Sequence, residues 1–217
     1  MSDALWQESI SASFSCITSY FEKNNSDATP ELTFLRPIAI TAQNNPSGWA
    51  AKEDRTSLLD IIEQKINKSI RIKYFDNNMA PDVNGFVVEK RKSADIYVNK
   101  NLNYCYSRFI VAKELNHLLM NENGDLKTVE YVAEFIELVS FLMLDSTPKD
   151  DGQASENIAY YGAMELLIPK QYFESDWFKS NNSNHDIALQ LRCPTQIIEI
   201  RKDKEIQNKF LEIYEKF

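Results

Sequence analysis

Lys113, Glu114 and His117 lie within a five-residue run, Lys-Glu-Leu-Asn-His, that offers an ammonium, a carboxylate and an imidazole. On a helical wheel these three side chains share a sector of roughly 100°, with Lys113 and His117 one turn apart on one face. The rest of the segment 107–120 is apolar, through Phe109, Ile110, Val111, Ala112, Leu115, Leu118 and Leu119, so the helix is expected inside the protein. Burying charge without a partner costs several kcal/mol. The stripe must therefore face a metal, a water-filled cleft or compensating charge.

A second segment supplies a partner. On a helix over 155–168, Glu156, Tyr160 and Ala163 share a face, and Ala159, Gly162 and Ala163 leave one side thin enough for close approach to a neighbour. Glu156 can then lie against the 113/117 stripe. Two readings stay open on the residues alone. In one, Lys113 pairs with Glu114 or Glu156 and His117 is hydrogen-bonded and inert; in the other, the stripe lines a functional centre. Glu165, about half a turn from Glu156, is expected to face away and pair with a surface cation.

These segments need a scaffold. Apolar spacing predicts a helix over 4–23, a loop through Thr41–Asp54 rich in Asn, Pro, Ser and Gly, and a helix over 56–67. Three strand-like runs follow at 69–75, 85–89 and 94–98, with turns at 76–85 and 91–93. Helices are expected over 107–120, over 129–145 with Glu130, Glu134 and Glu137 on a solvated face, and over 155–168, where Pro169 stops the last. A short helix over 186–192 and a second from Pro194 as far as Phe217 complete the order. The class is α+β, a helical domain with a small antiparallel sheet preceding the Lys113 helix. A helix-and-loop extension, 1–55, is expected ahead of a main domain, 56–217.

Composition narrows the function. The 217 residues carry 43% hydrophobic and 26% charged side chains, ordinary for a folded domain. With 24 Lys plus Arg against 32 Asp plus Glu, the formal charge is -8. Direct binding to a nucleic-acid backbone is disfavoured, and the short basic run Lys90, Arg91 and Lys92 reads as a solvated strand end. The three cysteines are far apart with no Cys-x-x-Cys pair, which suits a reducing compartment. No secretory signal and no apolar run long enough to span a bilayer are visible, so a cytoplasmic location is expected.

The run Arg108-Phe-Ile-Val-Ala-Lys-Glu-Leu-Asn-His-Leu-Leu resembles the "RFxxAHELGHLL" helix of the ImmA/IrrE metallopeptidases. Glu156-Asn-Ile-Ala-Tyr-Tyr-Gly-Ala-Met-Glu-Leu-Leu-Ile-Pro is similar to their "ExxANxFAAELLMP" segment. Asp95-Ile-Tyr-Val-Asn and the segment 187–201 also fit, and the resemblance spans roughly residues 56–201. It implies a zincin-like fold in which His117 and Glu156 are metal ligands and Glu114 is the general base. The first ligand position is Lys113, whose ammonium has no lone pair to give. Lys113 can instead stand in the metal's place, held between Glu114 and Glu156.

Two routes would restore a zinc site: a neutral Lys113 amine, or His185 as substitute ligand. Tyr160 and Gly162 stand where the family pattern has Asn and Phe, and Tyr160 either donates a hydrogen bond in the cleft or packs. The resemblance thus implies a catalytically impaired or inactive family member. It would act as a regulatory protein-binding module for a helix-turn-helix repressor or a toxin, in a mobile-element or stress operon. The alternative is an active zinc-dependent endopeptidase that cleaves such a repressor.

Overall fold

A computed structural model describes residues 3–24, 57–76, 83–120, 151–180 and 183–217. Helix α1 (Asp3–Lys23) is followed by α2 (Leu58–Ile66). Ser57 caps α2 with a reciprocal capping box, its hydroxyl accepting from the Asp60 amide while the Asp60 carboxylate accepts from the Ser57 amide. Asn67 ends the helix in the left-handed region at φ 53°. A short polar side chain tolerates that conformation better than a β-branched one.

Strands β1 (Ser69–Phe75), β2 (Gly85–Glu89) and β3 (Ser93–Asn99) then form one sheet in the order β1-β3-β2. The expected strands are all present, but the sheet is mixed rather than antiparallel. β1 and β3 run parallel, with Ile72 opposite Ile96, while β2 and β3 run antiparallel, with Val87 opposite Ile96. β2 takes an edge and β3 enters the middle, so β3 is the strand buried through most of its length, from Ala94 to Ile96 and again at Val98 and Asn99.

Helix α3 (Tyr104–Met120) follows, and every residue from Ser107 to Leu119 is buried. The inner face of the sheet lies on it. At Gly85 an added Cβ would stand 2.2 Å from Ile110 Cγ2, so β2 approaches α3 too closely there for any side chain. The expected helix over 129–145 and the loop over 41–54 lie outside the described residues.

Helix α4 (Asp151–Leu167) packs against both α1 and α3. Two single-turn helices, α5 (Lys170–Phe173) and α6 (Asp176–Lys179), lead to α7 (Asn184–Leu191). The C-terminal stretch is two helices, α8 (Thr195–Lys202) and α9 (Lys204–Tyr214), where one long helix was expected. Asp203 makes the break: its backbone is extended, and its side chain accepts hydrogen bonds from the Glu205 and Ile206 amides as the cap of α9.

One core joins α1, α2, the sheet, α3, α4 and the C-terminal helices, from Ile10 and Ile17 through Ile96, Val111 and Leu115 to Ile198 and Phe210. The three cysteines are free. Among the described residues, no helix is long and apolar enough to cross a membrane.

Candidate functional site

The helix–helix contact between α3 and α4 brings Lys113, Glu114, His117 and Glu156 together. Lys113 Nζ donates to Glu156 Oε2 at 2.5 Å, and His117 Nε2 lies 2.7 Å from Glu156 Oε1, so one carboxylate bridges an ammonium and an imidazole. Lys113 Nζ is also 2.9 Å from Glu114 Oε1. That contact is an ion pair without hydrogen-bonding angles, and Glu114 Oε1 has no hydrogen-bond donor. The cluster is nearly sealed, since the Lys113 side chain is 1% exposed and that of Glu156 only 13%.

Electrostatics fix the protonation of this cluster. Burial alone would lower the Lys113 pKa, but the charges of Glu114 and Glu156 outweigh it and push the ammonium well above its ordinary value. Burial likewise favours a neutral Glu156, yet Lys113 and His117 prevail and hold its carboxyl down at about 2. An ionised carboxylate only accepts hydrogen bonds, so His117 Nε2 carries the hydrogen toward Glu156. Tyr160, the other polar residue on this face of α4, stacks on Phe109 with ring centroids 5.1 Å apart. Burial raises its phenol further from ionisation.

This arrangement does not suit a zinc ion. The misfit lies at Lys113, whose ammonium has no lone pair to give and already lies on the Glu156 carboxylate that would face the metal. His185, considered as a substitute ligand, is exposed in the first turn of α7. Among the described residues, no group of three or more His, Cys, Asp or Glu side chains converges in a manner able to hold a metal.

A second polar cluster adjoins the first. Asn116, between Lys113 and His117 on α3, donates from Nδ2 to Ser13 Oγ at 2.9 Å and to the Ser9 carbonyl at 3.2 Å. Ser9 Oγ, with a single hydrogen to give, lies 2.8 Å from Asn116 Oδ1 and 2.7 Å from the Ile158 carbonyl, and it accepts from the Gly162 amide at 3.1 Å. The thin side of α4 thus receives the Asn116 side chain, and α1 is bonded to both helices. Spacing alone gave no sign of this cluster, beyond the lack of side-chain bulk at Gly162.

Glu165 departs from its expected place. It is fully buried on α4, accepts from the Tyr214 hydroxyl, and stands 3.9 Å from Arg201 Nη2. Arg201 in turn donates to Tyr214 at 2.8 Å and lies between the Phe173 and Phe210 rings. The surface that Glu165 was expected to face is covered by α8 and α9. The signal in the sequence is the position of Arg201, four residues after Ile197 and three after Ile198, on the same helix face as these apolar residues.

Burial pushes the Glu165 carboxyl up to about 7, against the opposing pull of Arg201 and Tyr214. The folded state thus holds this proton more tightly than the unfolded chain. The group's stabilising contribution is complete below about 4.5 and is lost as pH rises through about 7. Glu165→Gln should remove that decline. Urea denaturation between about pH 5 and pH 8 is expected to show the variant gaining on the parent as pH rises, and parallel profiles would refute the assignment.

The family model described as the IrrE N-terminal-like domain, peptidase M78, matches residues 67–202. No curated protein and no solved structure matches the chain. The matched span holds the sheet, α3, α4 and α8, and with them every residue of the Lys113 cluster. A match over more than half of the 217 residues, on an α+β domain of this order, places the chain in the IrrE N-terminal-like domain family.

Proposed function

We propose that this chain is a catalytically inactive member of its family, in which Lys113 replaces the first histidine of a His-Glu-x-x-His motif and supplies in its own ammonium the positive charge a zinc ion would bring. The observation that carries this reading is the Lys113 Nζ contact with both Glu156 and Glu114, at 2.5 and 2.9 Å in a buried cluster. His117 and Glu156 would be the retained ligand positions and Glu114 the retained base position. With the cluster closed on itself, the domain acts as a regulatory protein-binding module in the cytoplasm. Its partner would be a helix-turn-helix repressor or a toxin of a mobile-element or stress operon.

The competing reading, an active zinc endopeptidase, draws support from family membership. It needs a neutral Lys113 amine, which two adjacent carboxylates oppose. Metal analysis of protein purified without chelator separates the two readings. The unmodified chain is expected to hold no stoichiometric zinc, and Lys113→His, which restores an imidazole opposite His117 and Glu156, to acquire about one equivalent. Stoichiometric zinc in the unmodified chain would overturn the proposal.

A further inference from the structure

The outer face of the sheet collects cations that are scattered in the sequence. Asp95, at the centre of β3, has a fully buried carboxylate, and three side chains converge on it: Arg71 Nε at 2.7 Å, Lys73 Nζ at 3.0 Å and Lys90 Nζ at 2.7 Å. These hold the Asp95 carboxyl well below its ordinary range, the Lys90 and Lys73 hydrogen bonds contributing most. One carboxylate cannot neutralise three cations. The same three remain open to solvent, with side-chain exposures of 55% for Arg71, 41% for Lys73 and 52% for Lys90. Arg91 and Lys92 stand exposed in the adjoining β2–β3 turn. Among the described residues, the neighbouring Lys68–Glu89 and Lys100–Asp76 pairs are each internally neutral and leave the excess standing.

We infer that this face, centred on Arg71, Lys73 and Lys90 and extended by Arg91 and Lys92, is the docking surface for an acidic segment of a protein partner. The inference rests on the reading of the chain as a protein-binding module and adds where, and with what chemistry, the partner is held. Such a surface on a chain of formal charge -8 is a local inversion of sign, which steers an anionic segment to one place and repels it elsewhere.

The aromatic residues beside it argue against a nucleic-acid strand. Bases bind sheets by stacking on free rings. Here Phe86 and Tyr97 stack on each other at 4.8 Å, Phe75 leans on Phe86 at 5.5 Å, and Lys73 sits over Tyr97 at 5.2 Å. The rings are engaged with one another.

The test uses the full chain with a fluorescein-labelled oligoglutamate peptide, and a labelled oligothymidylate of equal charge beside it, both followed by anisotropy at low and physiological salt. Peptide binding is expected, weakened about tenfold or more in Arg71→Gln/Lys90→Gln and in Arg91→Glu/Lys92→Glu. The first pair leaves Lys73 on Asp95, and the second touches no Asp95 contact, so a melt of each variant reports whether the fold survives. Absence of peptide binding, peptide binding unchanged in both variants, or tighter binding of oligothymidylate through the same residues would each overturn the inference. Zinc in the purified chain would defeat the proposed function and leave this result standing; loss of peptide binding would leave the zinc result standing.

Discussion

Lys113→Met is expected to destabilise the protein by about 3–5 kcal/mol, the range for removing one partner of a buried ion pair. Methionine fills a similar volume, so the loss is electrostatic rather than a cavity. Glu114 and Glu156 are left facing each other in a space from which water is nearly excluded. Glu156 keeps only its contact with His117, at 2.7 Å. Adding Glu156→Gln should recover part of the loss, because the amide is neutral and still meets His117.

The variant should also lose acid sensitivity. Glu156 is held at about 2 against an ordinary 4.5, so its stabilising contribution is present above the higher value and disappears as pH falls through the lower. Urea denaturation of the parent and both variants checks this. A loss under about 1 kcal/mol for Lys113→Met, the size of an exposed pair, would mean that the cluster is more solvated than its geometry shows.

Gly162→Ala is the second large effect. Its new methyl would stand 1.8 Å from Asn116 Nδ2 and 2.2 Å from Asn116 Cγ, inside a network with no slack. Overpacking of this kind costs about 1–3 kcal/mol, and more where hydrogen bonds break with it. Asn116→Gly should relieve the clash while removing the bonds to Ser9 and Ser13. The double variant is therefore expected to be less destabilised than the sum of the two singles. A double-mutant cycle in denaturant measures the coupling, and simple additivity would refute the close approach.

Much of the architecture was readable before any coordinates. The strands at 69–75 and 85–89 follow from alternation and β-branched content, and the burial of α3 from an apolar circumference broken only by one stripe. Sheet order was not readable in that way. Alternation says which face of a strand is buried, while the neighbour a strand chooses depends on the path of the connection, and β3 enters between β1 and β2.

Glu165 was misplaced for a related reason. Angular distance from Glu156 separates two faces of α4 but cannot say that both are covered, one by α1 and α3 and the other by residues of α8 and α9. The break at Asp203 interrupts an apolar spacing that runs through it, and only the capping geometry reveals it. Within the candidate site, the pairing of Lys113 with Glu156 was visible as charge that needed charge.

The Asn116–Gly162 contact was visible only as two separate departures from the family pattern, Asn where it has Gly and Gly where it has Phe. The structure makes them complementary in volume, since the bulk missing from α4 reappears on α3.

The hydroxyl of Ser9 ties α1 to the backbone of α4 and to Asn116 of α3, although residue 9 lies far outside the matched span 67–202. Similarity and foldability therefore have different borders here. A fragment cut to the recognisable span would present the Asn116 amide and the apolar seats of Ile10 and Ile17 to water. The piece that looks most like a family domain is a torso whose missing limb closes its own interior.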